Sequence, residues 1–155
     1  MNPYAPPGTA VTDPPAKPAS AFKAVAFGLG VDIGGTFLGG IVLALIYGIV
    51  LGASGADAQQ ITAAMSTAGN DTWLSWLGTA VGLAFSALGG YVCARVARRS
   101  EMTLGAVLAA LSAIIGVVLA GEHYQLGTLA SLTIASIGAV MIGARLGYAK
   151  NRGTK

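Results

Sequence analysis

Hydrophobic positions in this chain fall into four long, nearly unbroken runs, at about 22–53, 73–96, 103–121 and 127–148, with short polar segments between them. A helix needs about 20 apolar residues to cross the hydrocarbon layer of a bilayer, so each run predicts one transmembrane helix. The first is longer than a single crossing needs. It is expected to tilt, or to begin as an interfacial turn around Lys23. The pattern therefore predicts an all-α fold, an integral membrane bundle of four antiparallel transmembrane helices. Residues 1–20 read as a disordered tail, 21–150 as the membrane domain and 151–155 as a basic tail. All six prolines fall within the first eighteen residues, a composition that favours an extended, solvated chain over a packed one. Between the first two runs, Ile61, Ala64, Met65 and Ala68 recur at helical spacing after Asp57 and Gln60, which suit a cap-like start. A short surface helix or a plain polar linker both fit that loop.

Composition agrees with lipid as the main solvent. Of 155 residues, 54% are hydrophobic and 10% charged, against roughly 25% charged in soluble domains. No soluble catalytic domain fits in what remains. The net charge of +3 raises the question of nucleic acid, but the cations flank the apolar runs instead of forming a patch, so no nucleic-acid partner is expected. Lys17 and Lys23 precede the first run; Arg95, Arg98 and Arg99 lie between the second and third; Arg145, Lys150, Arg152 and Lys155 end the chain. Four crossings place all nine on one side. By the positive-inside rule that side is the cytoplasm, with both termini there, and Trp73 and Trp76 mark the opposite interface.

Lipid tails are as apolar as leucine, so membrane helices gain stability by close backbone contact through small residues. Here small residues recur every four positions. The second run carries Gly78, Gly82, Ser86, Gly90 and Ala94; the third, Ser112 and Gly116; the fourth, Ser131, Ala135, Ala139, Gly143 and Gly147. Gly78, Gly82, Gly90, Gly116, Gly143 and Gly147 are therefore expected to pack helices together, within one chain or between copies. The endings Gly90-Tyr-Val-Cys-Ala-Arg95-Val-Ala97 and Val140-Met-Ile-Gly-Ala-Arg145-Leu-Gly147 echo each other. A duplicated hairpin would produce this, as would a shared way of stopping at the cytoplasmic interface.

Asp32 is the one acidic residue within a run, and it continues the first helix's small-residue stripe between Gly28 and Thr36. A carboxylate in hydrocarbon is costly unless it pairs, neutralises or meets water, so Asp32 should face protein. It is expected a turn or two from the basic interface, within reach of Arg95 or Arg145. Asp32, Thr36, Arg95 and Arg145 thus form the candidate intramembrane polar site. Other chemistry lacks its residues. His123 beside Glu122 has no second imidazole or thiolate nearby, so no metal is expected. No nucleophile elbow or phosphate-binding loop occurs either, so neither an enzyme nor a cofactor is expected. Cys93 reads as a small packing residue.

The segment Gly89-Gly-Tyr-Val-Cys-Ala-Arg-Val-Ala97, with the four-span layout over residues 22–150, resembles small uncharacterised four-span bacterial inner-membrane proteins that share a Gly-Gly-Tyr-x-x-Ala-Arg-x-Ala segment. The resemblance implies an inner-membrane setting and supplies no activity. Two functional expectations follow from the residues. The first is a structural or accessory subunit, a homo-oligomer or the partner of another membrane protein, packed through glycine-rich faces. The second is a small transporter or channel with Asp32 as a proton or cation site.

Overall fold

The computed structural model describes residues 20–67, 73–120 and 124–153, and among these the only regular structure is helical. Five helices follow in order: α1 (Ala21–Ala53), α2 (Ala58–Thr67), α3 (Trp73–Ala97), α4 (Glu101–Ala120) and α5 (Leu126–Arg152). α1, α3, α4 and α5 are long and apolar enough to cross a membrane. Their outward faces carry large apolar side chains, among them Phe27, Leu38, Ile49, Val118 and Ile134. Such exposure suits lipid, where a water-soluble bundle would bury these residues. The expected tail lies outside the described residues except for Ser20. That residue caps α1, its hydroxyl accepting from the Lys23 amide at 3.2 Å.

Neighbouring spans alternate in direction, which makes α1 parallel to α4 and α3 parallel to α5. α3 is the hub: it packs against α1, α4 and α5, whereas α1 and α5 do not meet. Lys23, Arg95, Arg98, Arg99, Arg145, Lys150 and Arg152 share one end of the bundle, called here the basic end. Trp73 and Trp76 lie exposed at the far end, where Trp73 also stacks edge-on against Tyr47 with ring centroids 6.2 Å apart.

The loop after α1 does form a helix, by the reciprocal capping that its sequence allows. The Gln60 amide donates to Asp57 Oδ1 at 2.8 Å and the Asp57 amide to Gln60 Oε1 at 3.1 Å, which satisfies two donors of the first turn. α2 packs on α1 alone, laying Met65 near Gly48 and Ile61 near Gly52. The excess length of α1 is thus used at the far end. Ala68, expected on the same face, lies outside the described residues.

Close backbone-to-backbone contact is concentrated in the basic half, while toward the far end Gly35 and Gly39 of α1 press against the Phe85 and Val81 side chains of α3. The glycine pair 89–90 serves two neighbours at once, because consecutive residues point about 100° apart on a helix. A Cβ on Gly89 would stand 2.7 Å from the Gly28 carbonyl oxygen of α1, and one on Gly90 would collide with the Val140 carbonyl of α5. Gly143 lies against the Ala87 carbonyl and Gly147 against Tyr91 and Ala94. The two echoing segments therefore meet side by side, with Gly90 opposite Val140 and Ala144 in the parallel α3–α5 crossing. Around it Ala24, Cys93, Ala97, Leu108, Ala109 and Val140 form the buried core.

Gly82 makes only ordinary contact with Thr36, at 3.7 Å, and nothing lies within 4 Å of a Cβ placed on Gly78 or Gly116. Within this chain these three do not form tight crossings. A four-residue step turns the stripe by about 40° on a helix of 3.6 residues per turn, so three steps from Gly90 bring Gly78 to another face.

The basic end also differs from expectation. α5 does not stop near residue 148 or at the expected domain limit of 150 but continues to Arg152, because Asn151 is bound into the bundle. Asn151 Nδ2 donates to the Ala94 carbonyl at 3.0 Å and lies 3.4 Å from Glu101 Oε1, while Arg95 Nη1 donates to Asn151 Oδ1 at 3.3 Å. Arg152 sits 5.0 Å over the Tyr148 ring. The turn from α3 to α4 is made with Arg98 and Ser100 both at φ 49°, left-handed backbone that side chains rarely adopt.

Candidate functional site

Four helices bring polar side chains to one point. Asp32 lies eleven positions after the start of α1, Ser86 eleven before the end of α3 and Ser112 eleven after the start of α4, all measured from the basic end. At 1.5 Å per residue that places them about 16 Å from the basic ends of their helices. Asp32 is therefore about three turns from the start of α1.

Asp32 is 4% exposed, and each carboxylate oxygen has a hydroxyl partner. Ser86 Oγ donates to Oδ1 at 2.7 Å and Ser112 Oγ to Oδ2 at 2.5 Å. Ser136 of α5 stands 3.5 Å from Ser86, oxygen to oxygen. Thr36 donates to the Asp32 main-chain carbonyl at 2.7 Å, a contact within the helix that leaves the carboxylate untouched. Among the described side chains no buried nitrogen or oxygen lacks a partner.

The arginines expected to pair with Asp32 do not reach it. Arg95 turns to Asn151 at the basic end, and Arg145 is exposed. The separation explains this: Arg95 is nine residues beyond Ser86 along α3, about 13 Å, and the buried layer of Gly28, Gly89, Cys93 and Leu108 fills the interval. Of the predicted site residues, Asp32 and Thr36 belong to one locus and the two arginines to another.

A cavity of about 430 Å³ leads away from the carboxylate. Asp32, Ser86, Ser112 and Ser136 line its deep part, Gly78, Gly82 and Gly116 leave space along its sides, and Ser75, Leu119 and Tyr124 line it toward the far end. Glycines expected to close the helices together therefore open this space. On the basic side of the carboxylate, Ala24, Cys93, Ala97 and Leu108 are fully buried. Ser86 and Ser112 were legible as members of small-residue stripes but not as partners of Asp32; Ser136, outside its helix's stripe, carried no signal of its own. Among the described residues, no group of three or more histidine, cysteine, aspartate or glutamate side chains is placed to hold a metal.

Fold and site together define an all-α, multi-pass membrane protein with a carboxylate midway along its bundle. The chain matches no family model, no curated protein and no solved structure.

Proposed function

We propose that this protein is a small transporter or channel of a bacterial inner membrane in which Asp32 takes up a proton or a cation. The observation that carries this reading is the buried Asp32 carboxylate lining a cavity that runs toward the far end, with hydroxyl partners and, among the described residues, no cationic one. A carboxylate kept only for structure would be expected to hold a permanent counter-charge or a permanent proton in a sealed site, because an uncompensated charge in low dielectric is strongly unfavourable, whereas this one lines a cavity through which an ion can exchange. Hydroxyls stabilise the group without neutralising it, which leaves its charge to an exchangeable ion. The one-sided distribution of cations supports cytoplasmic termini and hence a cavity facing away from the cytoplasm. The packed basic half then acts as the barrier that must loosen for an ion to pass.

An accessory role has less support, because Gly90, Gly143 and Gly147 spend their close approach inside one chain. Reconstituted liposomes test the proposal. A proton or cation flux that falls at least tenfold in Asp32→Asn is expected; flux unchanged by that substitution in folded protein would refute it.

A further inference from the structure

We infer that the oxygens around Asp32 form a binding site for one dehydrated monovalent cation of sodium size, with Ser86, Ser112 and Ser136 as its neutral ligands. This rests on the reading of Asp32 as an ion site and specifies which ion. Five oxygens from four helices converge there: both carboxylate oxygens and the three serine hydroxyls. They are hard donors, suited to a hard cation and not to a soft metal.

Ser86 and Ser112 stay at 2.7 and 2.5 Å from Asp32 as hydrogen-bond donors, so the size is read from the one loosely held pair. The Ser86 and Ser136 oxygens are 3.5 Å apart, at the outer limit for a hydrogen bond and well beyond the 2.7–2.8 Å usual between hydroxyls. Calcium, whose radius is close to that of sodium, holds oxygens at about 2.3–2.6 Å, so neighbouring ligands at right angles on an ion of that size stand roughly 3.3–3.7 Å apart. A magnesium-sized ion at about 2.0–2.1 Å would need them roughly 2.9 Å apart.

Charge selects the valence. Asp32 supplies a single negative charge, and among the described residues no other acidic side chain lines the site or the cavity. A monovalent ion leaves the site neutral, whereas a divalent one would leave a net positive charge deep in the bundle, which is costly. Ser86 and Ser112 can keep donating their protons to the carboxylate while turning lone pairs toward the ion, so loading needs no rearrangement of those bonds. Hydroxyls of Ser75, Thr79 and Tyr124 along the cavity offer oxygen contacts as the ion sheds water.

The test is equilibrium binding of radioactive sodium to the purified full-length protein in detergent, with potassium, calcium and choline chlorides as competitors at constant ionic strength. Saturable binding is expected, displaced by sodium in preference to potassium or calcium, lost in Asp32→Asn and weakened about tenfold or more in Ser136→Ala. Ser136 makes no hydrogen bond to Asp32, so its loss spares the carboxylate's partners and keeps the test valid if Asp32→Asn fails to fold. Absence of saturable sodium binding, or wild-type affinity in Ser136→Ala, would overturn the assignment. Absent binding together with an Asp32-dependent proton flux would refute the sodium site while leaving the transport reading intact. Sodium binding without any Asp32-dependent flux would do the reverse.

Discussion

Gly143→Ala is the sharpest perturbation of the bundle, because the added methyl would run into a backbone carbonyl, that of Ala87, and not the yielding end of a side chain. Neither partner can rotate away, so α5 must withdraw from α3. A gap of about 0.5–1 Å already forfeits a quarter to a half of each van der Waals contact along the crossing, which includes Gly90, Ala94, Val140, Ala144 and Gly147. Overpacking of this kind costs about 1–3 kcal/mol, and a rigid obstacle places Gly143 at the upper end. Replacing glycine by alanine within a helix returns about 1 kcal/mol, for an expected net loss of about 2 kcal/mol. Gly116→Ala is the control, since it receives the same helix-propensity gain and nothing lies within 4 Å of its new methyl. Subtracting one variant from the other isolates the collision, about 3 kcal/mol or roughly a hundredfold in the unfolding equilibrium. Reversible unfolding by SDS in mixed micelles, followed by far-ultraviolet circular dichroism, measures both. Unfolding of the two variants at the same SDS fraction would refute the close α3–α5 crossing.

Three further outcomes follow from hydrogen bonding and exposure. Ser112→Ala should destabilise the fold by about 1–3 kcal/mol in the same assay by removing the donor from one Asp32 oxygen, whereas Ser131→Ala, on the exposed face of α5, should change little. Asp57→Ala should raise hydrogen exchange across Ala58–Thr67, at a local cost of about 0.5–2 kcal/mol, without shifting global unfolding, because α2 touches only α1. Arg145→Gln should leave any Asp32-dependent flux in liposomes within about twofold of wild type, since Arg145 is exposed and its charge is largely screened from the buried carboxylate; a tenfold fall would show that the two are coupled.

Local rules account for much of this architecture. Apolar run length was enough to place four membrane helices and the all-α class, because a chain in hydrocarbon must satisfy its backbone internally and a helix does so within one segment. The pairing of Asp57 with Gln60 lies within a single turn, so the start of α2 was legible too. Asp32 stood out as the lone intramembrane acid on the stripe that faces protein.

Its partners depended on tertiary structure. Ser86, Ser112 and Ser136 are 54, 80 and 104 positions away in the chain, and only the depth at which four helices align brings them together. Arginines nearer the polar interface were plausible partners by side-chain length, until the packed layer between Gly28 and Leu108 separated them from Asp32. The glycine stripes divided for the same reason. Spacing along one helix identifies small faces, but which of them closes a crossing and which opens a cavity depends on where the neighbouring helix converges or splays, and that is decided by all four helices at once.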